Sequence, residues 1–128
     1  MSGEKQKILL VDDDADLVTA LSAILSNGGY DVISSPNGTI GLETAKRVKP
    51  NLIIIDIMMD TYSEGFIFVK NLLADEETRD IPRVLLSSLG IQQGLNMIYP
   101  EELGAKLILK KPVKSDVLLS SVKSAIGG

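Results

Sequence analysis

The chain has 128 residues, with 17 acidic and 13 basic side chains, a net charge of −4 and a hydrophobic content of 45%. That is material for one globular domain with a sizeable core, spanning 1–128, and the charge balance argues against direct, non-specific nucleic-acid binding. The absence of cysteine and histidine excludes disulfides and thiolate chemistry and removes the usual general base and the usual zinc ligand; no run approaches the roughly 18 apolar residues of a membrane span and no apolar signal core follows Met1 to Lys5, so a cytoplasmic chain without a membrane partner is expected.

Apolar runs alternate with segments of helical period. Lys7 to Val11 reads as a first strand, followed by Asp12, Asp13 and Asp14. Asp14 suits the N-cap of a helix to about Asn27, with Leu17, Leu21, Ile24 and Leu25 on one face and Gly28-Gly29 as its stop. Tyr30 to Ser35 is a weaker, more polar strand, expected at an edge. Pro36-Asn37-Gly38 turns the chain into a second helix, about Thr39 to Lys49, whose Gly41, Ala45 and Val48 face the sheet and allow close approach.

Leu52 to Asp56 is a wholly apolar run that ends in a carboxylate, as expected of a strand buried on both faces. A loop from Met58 to Ser63 leads to a third helix, about Glu64 to Ala74, with Phe66, Val69, Leu72 and Leu73 inward and Ile67 at the surface. After a charged turn, Asp75 to Asp80, comes a fourth strand, Arg83 to Leu86, ending in Ser87-Ser88. Leu89 to Gly104 reads as partly helical, its Leu89, Ile91, Leu95, Met97, Ile98 and Tyr99 mostly core. A fifth strand, Leu107 to Leu109, ends in Lys110-Lys111-Pro112. A last helix runs from about Ser115 to Ala125, with Leu118, Val122, Ala125 and Ile126 on one stripe. Strands separated by helices imply right-handed crossovers and a parallel sheet, hence an α/β three-layer sandwich.

In such a sheet the strand ends share one edge, where open α/β folds bind ligands. Asp12-Asp13, Asp56, Ser87-Ser88 and Lys110-Lys111 therefore converge. Carboxylates brought together repel unless a cation intervenes or one keeps a proton. Hard oxygen ligands suit Mg²⁺, which often bridges to phosphate. With the Lys111 ammonium and the Ser87 hydroxyl, the inventory suits a phosphoryl group: carboxylate nucleophile, divalent metal, cation and donor.

Lys7 to Asp14, Leu52 to Met59, Ser87-Ser88 and Lys111-Pro112, in this order and spacing, resemble the receiver domain of two-component response regulators, over essentially the whole chain. The resemblance implies a doubly wound, five-stranded parallel sheet of order 2-1-3-4-5, flavodoxin-like. It implies that Asp56 accepts a phosphoryl group from a sensor histidine kinase or histidine phosphotransfer protein. It assigns Mg²⁺ to Asp12, Asp13, Asp56 and the backbone carbonyl of Met58, with Ser87 and Lys111 turning to the phosphoryl oxygens, and a cis Lys111-Pro112 bond. The output face would be the fourth of the five expected helices, the fifth strand and the last helix, read by an unknown partner protein, the chain being a monomer or a phosphorylation-dependent dimer. Such a chain is a signalling phosphoacceptor, with self-phosphorylation and self-dephosphorylation, rather than an enzyme. Bulky Met58 and Leu89, two positions after Asp56 and Ser87, are expected to slow loss of the phosphoryl group.

The sequence departs from this family in two places. Ile108 stands where an aromatic residue is usual, and the loop Met59 to Gly65 is one residue longer, lacks a proline and carries Asp60 and Glu64. These departures motivate the alternative of a pseudo-receiver, a constitutive protein-binding module without phosphorylation. A hydrolase would need a second acid and a cap for which there is little chain, and acids rather than G-x-G-x-x-G after the first strand disfavour a dinucleotide site.

Overall fold

The structure, a computed structural model, describes residues 5–56, 62–87 and 105–126, the backbone alone at 62–66 and 105–107. The segment 88–104, read as partly helical, and the residues Met58, Asp60 and Tyr99 lie outside the described residues, as does the side chain of Glu64. Five strands form the sheet: β1 (Lys7–Val11), β2 (Asp31–Ser35), β3 (Leu52–Asp56), β4 (Arg83–Ser87) and β5 (Ala105–Lys110). They are all parallel, in the order β2-β1-β3-β4-β5, as expected. The described helices are α1 (Ala15–Asn27), α2 (Gly38–Val48), α3 (Tyr62–Ala74) and α4 (Ser115–Ile126).

Alternation along the central strands divides the core in two. Leu9, Val11, Ile53, Ile55 and Leu85 point to one face and pack with Ala45 of α2 and Phe68, Val69 and Leu72 of α3. Ile8, Leu10, Leu52, Ile54, Val84 and Leu86 point to the other, where Leu21 and Leu25 of α1 and Leu118, Val122 and Ala125 of α4 cover them. Each such fully buried aliphatic side chain contributes about 1.5–3 kcal/mol relative to exposure, so β1 and β3, buried along their apolar lengths, are the rigid centre. β2 is an edge strand and its middle is only half-buried.

Local chemistry sets the helix ends. Asp14 caps α1, its side chain accepting from the N–H groups of Asp16 and Leu17, and Gly29, at φ 97°, takes the left-handed conformation that ends the helix. Asn37 caps α2 by accepting from Ile40 N–H at 2.9 Å. Helix α2 thus starts one residue before the expected Thr39, and Lys49, at φ 52°, closes it. Of its expected inward residues, Gly41 and Ala45 are buried and Val48 half-buried, with Thr44 joining them.

Helix α3 begins at Tyr62, two residues before the expected Glu64. Its dominant core residue is Phe68, 1% exposed, beside the expected Val69 and Leu72, while Ile67 is 56% exposed at the surface, as expected. The side chain of Phe66 lies outside the described residues. Phe68 is wedged against α2: a Cβ at Gly41 would meet its ring at 3.2 Å and Val11 Cγ2 at 3.1 Å, and one at Gly38 would meet Phe68 Cβ at 3.0 Å. Glycine at these positions lets α2 close on α3 and β1.

Two polar residues are buried in and beside the charged turn. Thr78 Oγ1 donates to Leu72 O at 2.7 Å. Arg83 Nη2 donates to Arg79 O at 3.0 Å and Ile81 O at 2.8 Å, so the guanidinium satisfies turn carbonyls at the start of β4. Pairing of β4 with β5 has one irregularity: Arg83 faces Ala105 and Val84 faces Leu107, leaving Lys106 as an extra residue. Beyond it Leu85 faces Ile108, Leu86 faces Leu109 and Ser87 faces Lys110.

The wedge predicts energetic coupling. Gly41→Ala should be more favourable in a Phe68→Ala background than in the wild type, by on the order of 1 kcal/mol in a double-mutant cycle read by urea unfolding, and Phe68→Ala alone should cost about 3–5 kcal/mol. Thr78→Val should cost about 1–3 kcal/mol in the same measurement, because the buried Leu72 carbonyl loses its donor.

Candidate functional site

Each candidate side chain leaves the sheet at the carboxyl edge. Asp12 follows β1 directly and is 2% exposed. Its backbone N–H donates to Ser35 O at 3.0 Å, extending the β1–β2 pairing past Val11. Its Oδ1 accepts from Asp14 N–H at 3.0 Å, while Oδ2 is buried with no hydrogen-bond partner among the described residues. Asp13 is exposed beside it. Asp56 is the last residue of β3, 2% exposed. Carboxylate oxygens of Asp12, Asp13 and Asp56 all lie within 4.8 Å of one another.

Lys111 reaches this cluster from the far side. Its Nζ donates to Asp56 Oδ2 at 2.6 Å. Its backbone is fixed to β4 by donation from Lys111 N to Ser87 O at 2.8 Å, and the Lys111-Pro112 peptide is cis, as expected. Ser87, fully buried, ends the strand between β3 and β5. The structure thus brings Asp12, Asp13, Asp56 and Lys111 together and places Ser87 at the adjoining strand end. Ile108, at the position of the expected aromatic, packs half-buried against the α2–α3 side of the core.

The electrostatics are unbalanced. The Asp12 carboxyl is pushed up to about 6, by burial above all and then by the Asp56 carboxylate, against the opposing pull of the Asp14 N–H and, more weakly, of the Lys111 ammonium. Among the described residues the Lys111 ammonium lies against Asp56, one of the three clustered carboxylates, and an oxygen of Asp12 is buried without a partner. A small divalent cation with hard-oxygen preference fits this donor set.

A cavity of about 270 Å³ opens beside the cluster, lined by Asp12, Asp13, Val18, Thr19, Ser34 and Ser35 among others. Ser35 is 1% exposed. It is a site-wall residue missed in the sequence, although it ends a strand just as Asp56 and Ser87 do. The polar, half-buried pattern of β2 obscured that signal.

Comparison with known proteins agrees with this geometry. The model of the response regulator receiver domain matches residues 8–123. Protein PilH of Pseudomonas aeruginosa is 30% identical over 122 residues, which cover 95% of this chain and 98% of PilH. The DNA-binding dual master transcriptional regulator RpaA of Synechocystis is 33% identical over 120 residues, 94% of this chain but 48% of that protein. Among solved structures, the BeF3-activated receiver domain of RstA from Klebsiella pneumoniae superposes with a TM-score of 0.81 at 30% identity, covering 96% of this chain and all (100%) of that one. The receiver domain of the sensor histidine kinase PA1611 from Pseudomonas aeruginosa, which has a magnesium ion coordinated in its active-site cleft, gives 0.86 at 26% identity, covering 98% and 100%. With the family's pattern matched across nearly its whole length and the sheet order and acidic cluster in place, the chain belongs to the response regulator receiver domains of two-component systems.

Proposed function

We propose that this receiver domain is a phosphoacceptor switch whose acceptor is Asp56. The observation that carries the reading is the meeting of Asp12, Asp13 and Asp56 within 4.8 Å, with Lys111 Nζ at 2.6 Å from the acceptor. In the proposed reaction an Asp56 carboxylate oxygen attacks the phosphorus of a phosphohistidine on a sensor histidine kinase or histidine phosphotransfer protein. The P–N bond breaks as the P–O bond forms, and the imidazole leaves with the electron pair. Mg²⁺, held by Asp12, Asp13 and Asp56 with the Met58 carbonyl, would supply charge neutralisation for the transferring group. The chain's own residues do the rest. Burial of β3 fixes the nucleophile, and Lys111 holds the acceptor oriented and offers its ammonium to the phosphoryl oxygens. Ser87 donates a hydroxyl to them.

Phosphorylation replaces one negative charge with roughly two and adds three strong acceptor oxygens. Lys111 and Ser87 are joined through their backbones, so contacts that both make to the new group pull on β5 and the start of α4. That face, with segment 88–104, is the proposed output surface for a partner protein, the chain acting in the cytoplasm as a monomer or as a dimer formed on phosphorylation. It is a single receiver domain, 1–128, and a signalling module rather than a turnover enzyme.

Incubation with acetyl phosphate and Mg²⁺ should give a single phosphoryl adduct by intact-protein mass, absent in Asp56→Asn and absent without the metal. An unmodified wild-type protein under these conditions would favour the pseudo-receiver reading. The raised Asp12 pKa also sets a pH dependence. The folded state favours the protonated carboxyl, so this group's stabilisation is full below about 3.8 and lost as pH rises through about 6. Mg²⁺ must displace that proton. The rise in melting temperature produced by Mg²⁺ should therefore be larger at pH 7.5 than at pH 5, by scanning calorimetry, and the difference should vanish in Asp12→Asn.

A further inference from the structure

We propose that Ser35 is a positioning residue for the Asp12 side of the metal site, an inference that rests on the Mg²⁺ reading above. Ser35 ends the edge strand β2, which among the described strands pairs with β1 alone. Its carbonyl accepts the Asp12 N–H at 3.0 Å, and this is the rung that fixes the backbone from which the buried carboxylate hangs. Beyond Ser35 the chain leaves the sheet through Pro36, which has no N–H to add a further rung, so this carbonyl is the last of the ladder. The side chain adds a second tie at that end: Ser35 Oγ donates to Asn37 O at 3.0 Å. Asn37 O also accepts Gly41 N–H at 2.9 Å, and Asn37 Oδ1 caps α2 through Ile40 N–H.

The hydroxyl therefore ties the strand end to the first turn of α2. That turn packs closely against Val11 and Phe68 at Gly41. Asp12 is thereby referenced on one side to β1 and on the other, through Ser35, to α2. The residue is nearly fully buried and lines the same cavity as Asp12 and Asp13. A buried hydroxyl at a tight turn could serve stability alone, so the distinguishing quantity is metal affinity. Backbone and outer contacts that orient ligands change affinity by about 10-fold or more when removed.

The test is a Mg²⁺ titration followed by amide chemical shifts, together with hydrogen exchange of the Asp12 amide in metal-free protein. Ser35→Ala and the near-isosteric Ser35→Cys should weaken Mg²⁺ binding by about 10-fold and accelerate exchange at Asp12 relative to Leu10. Ser35→Thr, which keeps the hydroxyl, should restore both. Unchanged affinity in Ser35→Cys, or a Ser35→Thr variant as weak as Ser35→Ala, would overturn the assignment and leave Ser35 a packing residue. Asp13→Asn separates this failure from that of the underlying reading. If it binds Mg²⁺ as tightly as the wild type, the metal site itself is wrongly placed and the role of Ser35 falls with it.

Discussion

Crowding of like charge in a place where water is scarce governs this molecule. Asp12 and Asp56 are each 2% exposed, and with Asp13 they bring three carboxylates into one small volume. Left alone they would relax by moving apart or by binding protons. The Asp12 pKa, raised first by burial and then by the Asp56 charge, tends toward the second response. The first is blocked, because one buried acid directly follows β1 and the other ends β3, neighbours whose apolar side chains are packed on both faces. The hydrophobic core is thus the support against which electrostatic repulsion is held, and Lys111 offsets a part of it at the acceptor.

That arrangement explains the division of labour along the chain. The residues that hold are aliphatic, in strands, and present on alternate faces. The residues that act are polar and sit at the strand ends or just past them, where the same backbone direction carries them to a common edge. Lys111 is the exception in kind. It is more exposed than Asp56, it lies on a flexible stem, and its backbone is tethered to Ser87 rather than embedded in the core. A fixed acid and a tethered base give a pair in which one partner stays while the other can respond to what binds.

Much of this was readable from residues alone, and the reasons are specific. The abrupt change from aliphatic to charged at Val11-Asp12 and at Ile55-Asp56 marks both a strand end and a reactive group. The caps at Asp14 and the glycines after Asn27 carry their chemistry locally, so α1 came out with its observed bounds. What escaped is non-local. Phe68 becomes the key residue of α3 only because Gly38 and Gly41, far away in the chain, make room for it. Thr78 and Arg83 read as parts of a charged turn and a strand start, yet both are buried, Thr78 donating to the Leu72 carbonyl of α3 and Arg83 to the carbonyls of Arg79 and Ile81. Ser35 sits in a strand whose pattern is neither cleanly alternating nor wholly apolar, and its partners are a backbone amide and a backbone carbonyl that no side-chain pattern reveals.

The irregular pairing at Lys106 has a bearing on how this chain tolerates change. Beyond it, Ile108 packs on the α2–α3 side of the sheet and Leu109 on the α1–α4 side, and Lys111 follows Leu109 at a set spacing. Loss of that unmatched residue would bring Ala105 directly before Leu107 without changing the register downstream, and an added one would enlarge the irregularity. The strand therefore contains an expansion joint. Length differences arriving from the preceding segment are taken up there, and the ammonium stays over its carboxylate.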